Sequence, residues 1–145
     1  MKKLIACALC LSVSAVFAIA GGTAPSIEGS WTLTSAIDKG VKAPEDLIAK
    51  EVIVATFAKD GKYTVTAKGE PFEAGTYKID TKAKPAQIDL IVLEGKDKGK
   101  KQFGIFKVEA DKATFSIGSS GKVEDRPKNF EGGKEVEVTV FNRNK

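Results

Sequence analysis

Acid and base chemistry in this sequence depends on carboxylates alone. The chain contains no histidine, and its two cysteines, Cys7 and Cys10, both lie within the first ten residues. A nucleophile activated by a neighbouring imidazole is therefore excluded. Two carboxylates could still act as general acid and base, but no spacing singles out a pair among those available: Glu45, Glu70, Glu73, Asp89, Glu109 and Glu124. We predict that the protein is not an enzyme.

The sequence also lacks motifs for metal, cofactor or phosphate binding. Beyond the two early cysteines only oxygen ligands remain, and the Asp-x-Asp-x-Asp-Gly pattern of a calcium loop does not occur. Residues 95–101, GKDKGKK, have three residues between their glycines where a phosphate-binding loop has four. They end in Lys where Ser or Thr would hold Mg²⁺. We interpret this segment as a hairpin turn and predict neither a metal nor a cofactor.

The first twenty residues, MKKLIACALCLSVSAVFAIA, have the pattern of a cleavable signal peptide. Two lysines precede an uncharged apolar run that ends in a small-residue motif, so we predict cleavage after Ala20. The mature protein would then be periplasmic or secreted, without stable membrane insertion. Without Lys2 and Lys3 the formal charge falls from +4 to +2, and the other lysines are spread along the chain. Nucleic acid is therefore not an expected partner.

Period-two alternation of apolar residues organises the chain beyond a Gly/Pro/Ser leader at residues 21–27, which we expect to be flexible. Eight short segments alternate in this way, and most are joined by turns of a few residues. One exception, APEDLIAK at residues 43–50, predicts a short helix, because Pro44 suits the first helical position. The pattern is typical of one all-β domain, either a sandwich or an up-and-down barrel with antiparallel neighbours.

The alternation assigns an uncharged set of side chains to the interior. Because a buried charge is costly unless it is paired, a ligand held inside should be mostly apolar. An eight-stranded barrel is either filled by its own side chains or holds one small ligand, and the sequence leaves both possibilities open. The candidate ligand-binding residues are Phe57, Tyr63, Tyr77, Leu90, Phe106, Phe115 and Val138.

A second apolar set lies on the opposite face of the predicted strands. A contiguous patch of such residues would indicate a surface for a partner. The set consists of Ile91, Leu93, Phe103, Ile105 and Phe141.

A long polar segment at residues 119–134 separates the last two strands. Loops longer than about 12 to 15 residues are uncommon unless they are functional or disordered. Arg126 and Phe130 are its candidate contact residues, since Arg can pair with a carboxylate and Phe can pack on the barrel. The loop is either a lid or partner contact, or a flap over outer apolar residues such as Phe103. We favour the flap.

Gly29-Ser30-Trp31 resembles the Gly-x-Trp signature of the lipocalins, and Arg143 stands where a lipocalin often carries an Arg over that Trp. The chain is more closely similar to the Planctomycetes-type family of uncharacterised lipocalin-like domains. This similarity runs from about residue 27 to residue 143 through EGSW, KYTV, EAGTYKID, KAKPAQIDL, EGKDKGK, FGIF and DRPKNF, in that order. It implies a small barrel with no established activity, ligand or catalytic residue.

These observations predict an eight-stranded antiparallel up-and-down lipocalin-like barrel at residues 28–145, with one short helix after the first strand. Gly29, Trp31 and Arg143 are expected to close one end of it, with a cation–π contact. The first functional hypothesis is a non-catalytic binding module for a small apolar ligand. The second is a solid-core module that binds another exported protein through the outer apolar face and the 119–134 loop.

Overall fold

In a computed structural model that describes residues 26–145, each barrel strand pairs antiparallel with the next, and the first also pairs with the last. The predicted signal peptide and residues 21–25 of the leader lie outside the described residues. The elements are β1 (Gly29–Asp38), β2 (Val41–Lys42), α1 (Glu45–Glu51), β3 (Ile53–Phe57), β4 (Lys62–Ala67), β5 (Glu70–Asp80), β6 (Ala86–Gly95), β7 (Lys101–Glu109), β8 (Lys112–Gly118), a 3-10 turn (Val123–Asp125) and β9 (Val136–Arg143).

Pairing of β1 with β9 closes the sheet into a barrel. The two strands run antiparallel from Trp31 opposite Arg143 to Asp38 opposite Glu137. Eight strands form the wall, because the two-residue β2 only extends β1 at one edge. The predicted eight-stranded antiparallel barrel with one short helix is therefore confirmed.

Helix α1 begins one residue later than the sequence suggests. Pro44, expected as its first residue, has an extended ψ of 134° and caps the helix instead. Glu45 and Asp46 occupy the first turn and Lys50 the last, which matches the helix dipole. Ile48 is the buried residue of the helix and packs into the barrel core. The helix thus covers the side of the barrel end next to β1.

A β-bulge in β1 changes which side chains face inward. The register with β9 shifts between Leu33 and Ser35, so that Leu33 lies inside before the bulge and Ala36 lies inside after it. Ile37, which strict alternation assigns to the interior, consequently faces outward. Without the bulge, alternate residues would stay on the same side of the sheet along the whole of β1, and Ile37 would face inward.

Six aromatic rings fill one end of the barrel, which we name the closed end. Neighbouring ring centroids lie 5.2 to 6.2 Å apart, in stacked and edge-on arrangements. All six side chains are buried and belong to the main core. They are Phe57, Tyr63, Tyr77, Phe106, Phe115 and Phe141.

Trp31 and Arg143 seal the closed end. The Trp31 ring is fully buried, and its Nε1 donates to the carbonyl oxygen of Ile27 at 2.7 Å. The Arg143 guanidinium lies 4.1 Å from the Trp31 ring centroid and donates to the carbonyl oxygens of Glu28 and Ser26, both at 2.8 Å. The end of the expected flexible leader is thus fixed onto the barrel.

Glycine is required at position 29 by both its conformation and its surroundings. Gly29 has a φ of +115°, and a Cβ there would lie 3.1 Å from Nη1 of Arg143. An L side chain rarely adopts this φ. A Cβ at this distance would displace the guanidinium by a few tenths of an ångström.

We expect Trp31→Ala to lower the free energy of unfolding by about 3 to 5 kcal/mol, because it leaves a large cavity at the closed end.

Arg143→Lys keeps the charge, but a lysine cannot reach the two carbonyl oxygens and the ring together. This variant should lower the free energy of unfolding by roughly 1 to 3 kcal/mol. Urea denaturation measures both changes. An Arg143→Lys variant as stable as the parent would show that the guanidinium does not seal this end.

Candidate functional site

The opposite end of the barrel is less completely packed, and we name it the mouth. It is formed where β1, β4, β6 and β8 end and β3, β5, β7 and β9 begin. Several apolar side chains that face inward here, or midway along the barrel, pack on the core but remain only half-buried. These are Ala36, Ile53, Val65, Leu90 and Ile117. The wall encloses them, and the six aromatic rings of the core lie toward the closed end.

A cavity of about 340 Å³ opens at the mouth on the side away from α1. Lys101, Gln102, Ile117 and Glu137 line it from the strands, and its rim is formed by Asp97 and Lys100 of the turn after β6 and by residues 119–121. Ile48 of α1 packs at the other side of the same end. The cavity therefore lies on the side of the mouth formed by β7, β8 and β9.

Three carboxylates face the mouth from different strands. Asp38 is directly opposite Glu137 in the β1–β9 pairing, and Glu73 is opposite Val65 in the β4–β5 pairing. The Glu73 carboxylate accepts a hydrogen bond from the Tyr63 hydroxyl at 2.7 Å. This bond links the aromatic core of the closed end to the polar mouth.

Electrostatics in the mouth disfavour additional negative charge. Desolvation raises the pKa of Glu137, and the charges of Asp38 and Glu73 raise it further. The Glu137 side chain is nevertheless exposed to solvent. Both are possible because a carboxylate that lines a narrow concavity can be reached by water and still be surrounded by protein atoms on most sides. Burial likewise raises the pKa of Tyr63, with the hydrogen bond to Glu73 adding to the effect.

The structure places most of the candidate ligand-binding residues in the packed closed end. Phe57, Tyr63, Tyr77, Phe106 and Phe115 contact one another and leave no space between their rings for a guest. Tyr77 also donates through its hydroxyl to the carbonyl oxygen of Ala58 at 2.6 Å. Leu90 is the one candidate that lies half-buried on the inner wall.

Val138 is not an interior residue, contrary to the prediction. Phe141 belongs to the core, and β9 pairs regularly with β8, so Thr139 and Glu137 share its inward face while Val138 faces outward. The sequence is misleading here because the outer face of β9 is itself apolar and covered. The inward-facing Glu137 was missed for the same reason, since a charged residue was assigned to the solvent side.

The 119–134 loop crosses the outer wall of the barrel from residue 123 onward. A Cβ on Gly132 would lie 3.4 Å from Ile37 and 3.7 Å from Val138, so the loop covers both. Ile105 and Ser116 on the same wall are almost fully buried. Among the described residues, the Ser116 hydroxyl has no hydrogen-bond partner. The flap interpretation thus agrees with the structure.

Arg126 and Phe130, the two loop candidates, both contact the wall. Nη1 of Arg126 donates to the carbonyl oxygens of Ile88 at 3.1 Å and Gly104 at 2.8 Å. Its Nη2 donates to Asp89 at 2.7 Å. The Phe130 ring lies under the Lys107 ammonium, 5.1 Å from its centroid. Both residues therefore hold the loop in place.

The expected outer apolar patch around Phe103, Ile105 and Phe141 does not form. Phe141 faces inward together with Leu33, which is opposite it in the β1–β9 pairing, and Ile105 is covered by the loop. Phe103 is half-buried with the Arg126 guanidinium 5.4 Å from its ring centroid. Only Ile91 and Leu93 of the set remain exposed.

No family model matches the chain, and no curated protein matches it significantly. Among solved structures it is similar to the wild-type fluorescent protein UnaG, with 10% sequence identity over 81% of this chain and 97% of that chain, at a TM-score of 0.38. The barrel assignment rests on the pairing of β1 with β9 and not on this similarity. Fold and site together define a small closed β-barrel with one packed and one partly open half.

Two further observations concern residues 26–145. None of the helices described there is long and apolar enough to cross a membrane. Among the same residues, no group of three or more His, Cys, Asp or Glu side chains is arranged to hold a metal ion.

We expect Glu137→Gln to stabilise the protein at pH 7 and to lose this advantage as the pH falls. Because its pKa is raised on folding, the folded chain binds this proton more tightly than the unfolded chain, and the charged form disfavours folding above that pKa. The gain should be complete near neutral pH and disappear by about pH 3, below the usual Glu pKa. Urea midpoints at both pH values measure it.

The matched control for this prediction is Glu131→Gln, which makes the same charge change in the exposed loop outside the barrel. Asp38 and Glu73 face Glu137, and the Asp97–Lys100 ion pair and Lys101 lie across the cavity. An equal shift for both variants would show that only net charge matters, and a destabilised Glu137→Gln at pH 7 would contradict the assigned direction.

Proposed function

We propose that the protein is an exported, non-catalytic binding module that holds one small apolar ligand in the mouth half of its barrel. The observation that carries this proposal is the difference between the two ends. Inward apolar side chains are packed by aromatic rings at the closed end but are half-exposed towards the mouth. Covering this apolar surface with a ligand would be favourable, at roughly 25 cal/mol per Å² of apolar area removed from water.

The polar groups of the mouth restrict the ligand class. A ligand that reaches Leu90 and Ile117 with its apolar part presents its other end to Glu137, Asp38 and Glu73. The negatively charged head group of a ligand would be repelled there by the same carboxylates, Asp38 and Glu73, whose charges raise the pKa of Glu137. The ligand is therefore neutral or cationic at its polar end, and fatty carboxylates are poor ligands at neutral pH.

Two supports for this proposal come from the sequence. The ordered motifs from EGSW to DRPKNF support our proposal that the chain belongs to the Planctomycetes-type lipocalin-like family, and the signal-peptide pattern of the first twenty residues supports export. The alternative hypothesis, a protein-binding module, requires an exposed outer apolar face. This face does not form, because Ile105 and Phe141 are buried.

Decylamine, decanol and decanoate share one chain and differ only in the head group, so they test the ligand class directly. We expect the amine and the alcohol to bind more tightly than the carboxylate at pH 7, by about tenfold, which corresponds to about 1.4 kcal/mol. Calorimetry gives the affinities, and amide shifts of Ile117 and Glu137, which line the mouth cavity and not the wall groove, locate the binding. Equal affinity for decanoate would contradict the role of the carboxylates.

Ile117→Trp fills the mouth and should remove binding of the amine and the alcohol. Leu93→Trp is the matched control, since Leu93 is about half exposed on the outer wall and outside the mouth. Far-ultraviolet circular dichroism establishes that both variants fold. If folded Ile117→Trp protein still binds the probes, the mouth is not the binding site.

The proposed export predicts which residue is the first one in protein isolated from its host. Intact mass and N-terminal sequencing of protein isolated from the host should place the first residue at Gly21, because the small-residue motif ends at Ala20. A chain that retains Met1 and the following nineteen residues would contradict export by cleavage.

A further inference from the structure

The outer wall of the barrel carries a second cavity, separate from the mouth. It measures about 460 Å³ and lies across β5, β6 and β7, with the turn between β3 and β4 at one edge. Its floor and sides include the outward side chains of Thr76, Lys78, Asp89, Ile91, Lys101 and Phe103. We name it the wall groove. Leu90 also borders the wall groove, and Lys101 is the one residue that lines both this groove and the mouth cavity.

The floor of the wall groove is apolar and held in a fixed position. Ile91 is 39% exposed there. The Phe103 ring beside it packs against the Arg126 guanidinium, 5.4 Å away, and Arg126 is itself fixed by Ile88, Gly104 and Asp89. A ring bound on this floor would meet a surface that is already ordered.

Charges around the floor leave a net positive site. The Asp89 carboxylate is paired with Arg126 at 2.7 Å, and the Asp60 carboxylate with Lys62 at 3.6 Å. Lys78 and Lys101 make no ion pair with any residue in the described part of the chain, residues 26–145. The two acidic groups of the groove are thus neutralised, and its two lysines are not.

The strand register sets the two lysines on opposite sides of the floor. Lys78 is opposite Asp89, and Lys101 is opposite Ile91, so the lysines stand on β5 and β7 with β6 between them. Two strand spacings and an offset of two residues along the strands separate their backbones by roughly 12 Å. An anionic group at either edge could pair with one ammonium while the apolar body covers Ile91 and Phe103.

We propose that the wall groove is a second ligand site, which takes a small aromatic carboxylate. Its chemistry is opposite to that of the mouth, where three carboxylates repel anions. The two sites therefore select different classes of molecule, and binding at the wall groove does not depend on an open barrel.

The test uses naphthalene-2-carboxylate and its neutral amide, naphthalene-2-carboxamide, in nuclear magnetic resonance titrations of the full mature chain. We expect the carboxylate to shift the amides of Ile91, Lys101 and Phe103, and to bind about fivefold more tightly than the amide. Exposed charge pairs each contribute only modestly, which limits the ratio. Added salt should reduce this preference, because it screens exposed charges.

Matched variants separate the groove from general charge effects. Lys78→Gln with Lys101→Gln should abolish the preference for the carboxylate, whereas Lys82→Gln with Lys112→Gln, an equal charge change outside the groove lining, should leave it intact. Ile91→Asp should weaken carboxylate binding about tenfold, whereas the exposed Leu93→Asp should not.

Three results would each overturn the proposal. The first is shifts confined to Ile117 and Glu137, which would place the probe in the mouth. The second is equal affinity for the carboxylate and the amide. The third is carboxylate affinity that falls equally in the groove variants and in their controls. Failure of decylamine to bind would count against the mouth alone, so the two proposals can fail separately.

Discussion

Closure of the sheet by β1 and β9 is the constraint on which the rest of the molecule depends. The two strands come from opposite ends of the described chain, and their pairing runs from Trp31 and Arg143 to Asp38 and Glu137. At one end of this seam a guanidinium binds two carbonyl oxygens and covers an indole. At the other end two carboxylates oppose each other in the mouth. A single strand pair thus seals one end of the barrel and sets the charge of the other.

The sequence predicted the number and order of the strands because short-range alternation and turn residues determine them. It also indicated the closure by Gly29, Trp31 and Arg143, through a resemblance that depends on only a few residues. The faces of particular strands were less predictable. A one-residue bulge in β1 moved Ile37 to the outside, and a covering loop made the outer face of β9 as apolar as its inner face. Both depend on long-range packing, which alternation along one strand does not report.

The functional residues were the least predictable part, for a related reason. The sequence assigned large aromatic side chains to the ligand site because they were expected to line the interior. In the structure they contact one another and fill it. The partly open space lies near smaller aliphatic residues such as Leu90 and Ile117, with Glu137 at its edge. The packing of the rings at the closed end determines which inward residues are covered. This packing depends on contacts between residues that are distant in the sequence.

The pairing of β1 with β9 also determines where a tether or another domain could be joined to the barrel. Ser26 is held by Arg143, and the backbone amide of Asn144 donates to the carbonyl oxygen of Ser30 at 2.9 Å, so both ends of the described chain leave the barrel beside Trp31. A tether, tag or neighbouring domain joined at either terminus would therefore emerge from the sealed base. The mouth would point away from the attachment and remain open to the surrounding medium.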